Sequence, residues 1–411
     1  MHIRGCIGII LLVCTGILFS ADRRRIRPRI ILACLGLQAA IGFTVLRVPA
    51  GQALLRAVSD MVTRLLTYGD EGGRFLFGAL VGRRMNTVFP GEGYVFALQV
   101  LPSLVYVSAL IAILYHCGIM QLFARVSGRG VQWLAGTSPV ESFGAIITIF
   151  VGQSELPVAL GPYLTTLDGT ELFSVLCSGT ASVSGATLVG YVGLGIPAHY
   201  LVAASFMAIP GGLLFAKLLE PRPSGAPATP LSTGSTAYHR AFFEAVMEGA
   251  LNGTRTAISV AAMLVACIGL IALVNGILHG IGGTLGWPTL SLEYLMGLLF
   301  APVAWLLGVP LAECGTVGSV LGLKMVVNEF VAYLHLGPAI RGGVLSPRTA
   351  AIASFALCGF ANLSSIGLLV AAFGSQCPDR REEVARRSAR AVLAGMLSNL
   401  LSAAIAGIII Q

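Results

Sequence analysis

Charge is scarce in this chain. Of 411 residues only 11% are Asp, Glu, Lys or Arg, and 18 are acidic, against roughly 25% charged residues in a soluble domain. With 56% hydrophobic residues and a mean hydropathy of +0.86, that shortage excludes a water-soluble globule. Cysteine pairs are also missing. The 9 cysteines, at 6, 14, 34, 117, 177, 267, 314, 358 and 377, lie mostly in apolar segments and form no CxxC, so they read as packing residues and not as a metal or disulfide framework. His116-Cys117 has no carboxylate or second cysteine beside it, which disfavours a metal site or nucleophile. Gly280-Ile281-Gly282-Gly283 lacks the strand that precedes a phosphate loop and reads as a turn. Linker composition is confined to Pro221-Arg222-Pro223-Ser224-Gly225-Ala226-Pro227 through Ala237, expected to be a mobile cytoplasmic loop that divides the chain into comparable halves.

What is present is apolar length. Runs of about 20 residues span the roughly 30 Å hydrocarbon core of a bilayer. Eight occur, near 5–21, 30–48, 97–121, 173–194, 198–218, 254–279, 349–374 and 391–410. The fold class is therefore an all-α polytopic membrane protein. The net charge of +8 does not point to nucleic acid, because the arginines cluster beside the runs. Arg23, Arg24, Arg25, Arg27 and Arg29 follow the first run. Lys217 and Arg222 close the fifth, and Arg380, Arg381, Arg386, Arg387 and Arg390 separate the last two. With both termini outside, parity puts all three clusters in the cytoplasm, as the positive-inside rule requires. Only Arg4 precedes the first run, so a cleaved leader is not expected. Residues 51–90 mix Arg56, Asp60, Arg64, Asp70, Glu71, Arg74, Arg83 and Arg84 with Leu, Val and Phe, as an interfacial amphipathic segment does.

Two stretches, 137–167 and 308–344, fit poorly as single spans, and each carries a polar string: Gly152-Gln153-Ser154-Glu155 and Asn328-Glu329-Phe330. An ionisable side chain at a membrane centre costs roughly 2.5–3.5 kcal/mol on insertion scales, so intramembrane carboxylates mark transport sites by default. The bland alternative for Glu155 and Glu329 is snorkelling, or pairing with a base such as Lys324, for which a topogenic role is equally open. Each half of the chain repeats one order of parts: an apolar stretch broken by a polar tip, a span with small hydroxyl residues at mid-length, and a further span. The hydroxyl runs are Ser178-Gly179-Thr180-Ala181-Ser182-Val183-Ser184-Gly185 and Gly359-Phe360-Ala361-Asn362-Leu363-Ser364-Ser365. Parity starts the first unit inside and the second outside, which makes an inverted repeat. Arms of about 12 residues rise only about 18 Å, so each tip stretch is expected to be a re-entrant hairpin buried in protein or lining an aqueous cavity. Gly152, Pro157 and Gly161-Pro162 are breakers around the first tip; the second has no glycine or proline beside it.

These strings resemble the concentrative nucleoside transporters. The matching segments are Gly152-Gln153-Ser154-Glu155, Pro162-Tyr163-Leu164, Gly308-Val309-Pro310, Asn328-Glu329-Phe330-Val331-Ala332 and Phe360-Ala361-Asn362-Leu363-Ser364-Ser365-Ile366-Gly367, in the family's order and spacing, with the likeness strong over about 95 to 375. The resemblance implies a bacterial inner-membrane homotrimer with eight spans, two opposed hairpins and an interfacial helix per protomer. It divides the chain into 1–135 (N-terminal spans, interfacial helix and scaffold), 136–218 (first hairpin plus two spans), 219–253 (loop and lead-in), 254–307 (scaffold span and connection) and 308–411 (second hairpin plus two spans). It also implies that Gln153, Ser154 and Glu155 contact a nucleobase. Glu329, Asn362 and Ser365 would contact ribose, with Phe360 beside them. Thr187 falls where the family has a small apolar residue under the base, so base preference is open.

At the family's cation site Thr148 replaces an amide side chain, with Val151, Ser182 and Val183 at the remaining positions. A threonine hydroxyl reaches less far than an amide carbonyl, and sodium wants several oxygens. Members resembling the proton-coupled branch carry a small hydroxyl there, so the reading leans to protons while sodium stays open, with Glu155 and Glu329 both candidate proton carriers. No cofactor or other metal is expected.

The residue types suit such a substrate on their own terms. A glutamine donates to and accepts from a base edge, and a carboxylate accepts from paired sugar hydroxyls about twice as strongly as a neutral acceptor does. Two carboxylates with no facing arginine disfavour phosphorylated nucleotides. The expected function is an ion-coupled nucleoside symporter working by alternating access. The alternatives are a symporter for another small uncharged polar solute, an intramembrane enzyme using the carboxylates as acid and base, and a channel.

Overall fold

The computed structural model describes residues 2–81, 95–223, 229, 241–284, 286–287 and 289–410, and among them every regular element is helical. The chain opens with α1 (His2–Leu18), α2 (Pro28–Arg47) and α3 (Pro49–Phe77). The last is the expected amphipathic segment drawn out as one helix, started by Pro49 and stopped at Gly78, whose φ of 57° suits glycine alone. Arg83 and Arg84 lie outside the described residues. Next come α4 (Leu101–His116) and α5 (Ile119–Ala135), separated by Gly118 at φ 76°. The third apolar run therefore ends earlier than the sequence implies, and a further amphipathic helix follows it.

The remainder is α6 (Pro139–Ala159), α7 (Gly169–Ala181), α8 (Gly185–Gly193), α9 (Ala198–Leu219), α10 (Phe242–Thr284), α11 (Leu292–Leu306), α12 (Leu311–Val326), α13 (Glu329–Arg341), α14 (Pro347–Leu357), α15 (Ser364–Gln376) and α16 (Arg381–Ile409). Seven described helical stretches are long and apolar enough to cross a bilayer, or eight if α11 and α12, bent through 116°, count as one. The protein is thus a multi-pass membrane protein. Several details differ from the sequence reading. At 43 residues α10 far exceeds 254–279. The spans expected at 173–194 and 349–374 are each broken in the middle, between α7 and α8 and between α14 and α15. Most of the 221–237 stretch lies outside the described residues.

All three basic clusters meet at one end of the molecule. Arg390 donates to the carbonyls of Phe19 and Leu219, Arg387 and Arg390 each pair with Glu220 at 3.0 Å, and Ala21 N donates to Leu219 O. The segment 139–168 begins and finishes at this basic end: Glu141 pairs with Lys217, and Asp168 pairs with Arg222 at 2.8 Å. Between them the chain reverses at Gly152, with φ 75° and ψ 177° inside an otherwise helical run. The second unit reverses from the opposite end. Glu313 near the start of α12 accepts from Ser346, the N-cap of α14, through both backbone N (3.2 Å) and hydroxyl (3.0 Å). Its turn uses no glycine. Val327 leaves the helix at ψ −87° and Asn328 is fully extended, so the absence of a breaker beside this tip does not prevent the reversal.

Gly152 occupies backbone space that is essentially glycine-only, and an added Cβ would stand 2.8 Å from Ser184 Cβ. Gly152→Ala is expected to cost about 1–3 kcal/mol, read as a lower midpoint in thermal or denaturant unfolding of the detergent-solubilised protein.

The basic end also holds a capping box. Asp168 accepts from the backbone N–H of Thr170 and Glu171, both at 2.8 Å, while Glu171 reaches back to Asp168 N. Burial alone would raise the Asp168 pKa, but the Thr170 hydroxyl, the two N–H groups and the Arg222 charge outweigh it and hold it below the ordinary 3.8. A carboxyl with a depressed folded-state pKa stabilises above its unfolded value, and that contribution is lost as pH falls through the folded one. Asp168→Ala should therefore cost about 1 kcal/mol at neutral pH. The gap from wild type should close progressively below pH 3.8 in pH-dependent unfolding.

Candidate functional site

The two reversals and the two span breaks converge midway between the ends. Phe360 N, in the second break, donates to Ser182 O in the first at 3.3 Å. At the first tip a Cβ on Gly152 would meet Ser184 and the Phe360 ring. The sequence separates these parts by some two hundred residues, and the fold joins them directly: Gln153 Nε2 donates to Ser365 Oγ at 3.0 Å, and Ser365 Oγ donates to Phe360 O.

Glu329 is the first residue of α13, capped by Asn328, whose Oδ1 accepts from Val331 N at 2.9 Å. The positive end of that helix favours a carboxylate there. Its two oxygens are held separately: Oε1 accepts from Tyr191 OH at 3.0 Å and Oε2 from Asn362 Nδ2 at 2.9 Å. Asn362 Oδ1 in turn accepts from Ser364 Oγ (2.7 Å) and Ser365 N (2.9 Å), which opens α15. Glu329 is 3% exposed, so it does not snorkel. Lys324, 1% exposed, does not reach a headgroup either; it donates to Ala356 O and to Asn399 Oδ1.

Glu155 is placed differently. Ser154 is exposed and Glu155 half-buried, and no hydrogen bond or ion pair holds the carboxylate among the described residues. It faces a cavity of about 270 Å3 shared with Ser108, Tyr115, His116, Glu248 and Asn252 of α4 and α10. Two polar atoms of the tip residues are buried without partners, Gln153 Oε1 and Asn328 Nδ2. Buried polar atoms are nearly always paired, so such orphans mark where a ligand's donors and acceptors can go.

Thr187, expected under a base, bonds within its own turn: its hydroxyl donates to Ser184 O at 3.0 Å. At the expected ion position, Thr148 donates to Ala145 O at 2.9 Å and Ser182 to Ser178 O at 3.4 Å, while Val151 and Val183 are buried and offer only backbone oxygens. No group of three His, Cys, Asp or Glu side chains that could hold a metal occurs among the described residues.

Two partners escaped the sequence reading. Tyr191, which holds Glu329, stands one helical turn after Thr187, a spacing that puts it on the same face. Asn399 is a lone amide inside the last apolar run, a signal of interhelical bonding.

This geometry has relatives. A family described as "Na+ dependent nucleoside transporter C-terminus" matches residues 200–407, its N-terminal counterpart matches 7–80, and one described as "Nucleoside recognition" matches 97–198. The chain belongs to the concentrative nucleoside transporter family. It is 41% identical to "Nucleoside permease NupC" of Helicobacter pylori over 98% of this chain and 97% of that one. It is 42% identical to "Putative nucleoside permease NupX" of Escherichia coli over 99% and 98%. Among solved structures it superposes on CNTnw in an inward-facing substrate-bound state with a TM-score of 0.94 and 45% identity, covering 100% of this chain and 98% of that one. An outward-facing CNTnw variant gives 0.95 with 44% identity, covering 99% and 98%. As a concentrative nucleoside transporter the chain is not an enzyme, which removes the acid–base alternative for its two carboxylates.

Proposed function

We propose that this chain imports nucleosides across a bacterial inner membrane as a proton symporter, with the basic end cytoplasmic and both termini outside. The observation that carries the reading is the joined site: Gln153, with an unpaired Oε1, is bonded to Ser365 beside a Glu329 carboxylate already oriented by Tyr191 and Asn362. Gln153, Ser154 and Glu155 receive the base, above Thr187. Glu329, Asn362 and Ser365 receive the ribose, with Phe360 packed beside it. A charged acceptor suits vicinal hydroxyls, and the absence of an arginine from this set disfavours phosphates.

The segments reversing at Gly152 and at Val327-Asn328 act as opposed re-entrant hairpins. Residues 136–218 and 308–411 move together against a scaffold made of 1–135 and 254–307, joined by 219–253, in a homotrimer bathed in lipid. The solved CNTnw structures in inward-facing, intermediate and outward-facing states support alternating access as the mode of motion.

The family's description carries sodium. The proton is favoured here because Thr148, Val151, Ser182 and Val183 supply only short hydroxyls bonded to their own helices and backbone carbonyls. With no amide or carboxylate oxygen among them, these residues offer a hard cation weaker side-chain ligands. Glu155 is the proton carrier: it is the unpaired carboxylate and it faces the cavity, whereas both oxygens of Glu329 are engaged. Proteoliposomes with an inwardly directed proton gradient and no sodium should accumulate uridine. Accumulation driven by a sodium gradient at equal pH and indifferent to a proton gradient would overturn proton coupling.

A further inference from the structure

Lys324 stands four residues before the tip residue Asn328, as Thr148 stands four residues before the tip residue Gly152. In both units this is the last turn of the first arm, and in the second it meets the C-terminal end of a broken span. Helix C-termini carry partial negative charge and unpaired carbonyls. At half-helix ends within a membrane protein such carbonyls are where cations bind.

In the second unit that place is already filled. Lys324 Nζ donates to Ala356 O, in the last turn of α14, at 2.9 Å and to Asn399 Oδ1 at 2.8 Å. Asn399, from α16, then spends its amide hydrogens on two carbonyls. It donates to Ala181 O, the last residue of α7, at 2.6 Å and to Cys358 O, just past α14, at 2.9 Å. A side chain at Gly359 would collide with the Asn399 amide, so this glycine lets the amide into the break. One ammonium and one amide thereby close the carbonyl ends of both broken spans, midway through the structure, with Lys324 1% exposed.

We infer that Lys324 is a tethered cation, a positioning residue whose charge permanently fills the carbonyl end of the second unit's broken span and which, through Asn399, locks the two broken spans into one register. Two consequences follow. The base-binding and ribose-binding halves move as a single body, because α7 and α14 share one charged clamp. Proton exchange is confined to the first unit, which carries the unpaired Glu155 facing the cavity.

The readout by transport rests on the proposed nucleoside symport, so the test adds one that does not. Lys324→Gln keeps a hydrogen-bond donor and removes the charge; Lys324→Arg keeps the charge; Lys324→Ala opens space for a small amine. In reconstituted uridine uptake, Lys324→Gln should fall about tenfold or more, as loss of charged hydrogen bonds entails, and Lys324→Arg should retain more activity than Lys324→Gln. Millimolar propylammonium, but not propan-1-ol, should restore uptake by Lys324→Ala. It should also raise that variant's melting temperature by about a few degrees, through binding to the folded state alone.

Uptake by Lys324→Gln within about twofold of wild type would overturn the inference. So would a folded Lys324→Ala that ignores the amine in both readouts. If the lysine variants do not fold, Asn399→Asp decides. It removes the donor to Ala181 and Cys358 and sets a carboxylate against the ammonium, so uptake should fall about tenfold or more, and wild-type uptake would contradict the clamp. A wild-type protein that carries no nucleoside would defeat the proposed function, and the amine-dependent melting shift would still decide this inference.

Discussion

Glu329→Gln should lower nucleoside uptake by roughly thirty- to hundredfold while leaving the protein folded. The size of that loss is set by what the carboxylate does. It holds two charge-assisted hydrogen bonds, from Tyr191 OH and Asn362 Nδ2, and in the proposed complex it also receives ribose hydroxyls. Replacing a charged acceptor by a neutral amide weakens each such bond by about 1 kcal/mol or somewhat more, and the amide additionally presents an N–H where only acceptors fit. Shape is conserved, and the packing of Tyr191 against Phe330 (ring centroids 4.7 Å apart) and Tyr333 (4.5 Å) is not disturbed. Concentration-dependent uptake in proteoliposomes, with melting temperature as the control for folding, checks this. Unchanged uptake would remove Glu329 from the site.

Lys217→Met should destabilise the protein by about 3–5 kcal/mol. Lys217 and Glu141 form an ion pair in which both side chains are buried, 6% and 0% exposed. Glu141 also accepts from Ser138 N and Ser174 Oγ, each at 2.8 Å, so the carboxylate is fixed at the junction of α6, α7 and α9. Removing one partner leaves the other charge buried and uncompensated. The double variant Lys217→Met with Glu141→Leu should recover much of the loss, because an apolar pair of similar volume is often nearly neutral in such a site. Unfolding midpoints of the two single variants and the double variant measure the coupling directly. A Lys217→Met protein as stable as wild type would mean that the pair anchors nothing.

Much of this architecture was legible in the sequence because membrane insertion is so restrictive. Apolar length alone located most helices, and the polar strings at 152–155 and 328–330 had to be functional or buried in protein. Three features were hidden for physical reasons. The breaks after Ala181 and Leu357 cost no hydropathy, since serine, glycine and cysteine are tolerated in an apolar run. The amphipathic α5 lost its signal to the run preceding it, and its start depends on Gly118 at φ 76°. The turn at Val327-Asn328 has no positive φ (−107° at Val327, −174° at Asn328), so it calls for no glycine and left no breaker to read.

At the site, pairing across the two halves was the invisible part. Gln153 and Ser365 were each recognisable, but their bond depends on both breaks meeting, a relation between distant segments. Likewise Lys324 could be read equally as topogenic or as a partner of Glu329. Its actual bonds run to a backbone carbonyl and to Asn399, neither of which the local spacing reveals.

The central claim is that this joined site carries nucleosides uphill and releases them unchanged. Proteoliposomes holding the purified protein, given radiolabelled uridine and an inwardly directed proton gradient, test it most directly. The account predicts an internal concentration above the external one, collapse of that accumulation when the gradient is dissipated, and recovery of chemically intact uridine from the lumen. Internal uridine that only equilibrates with the outside under every imposed ion gradient would contradict the account.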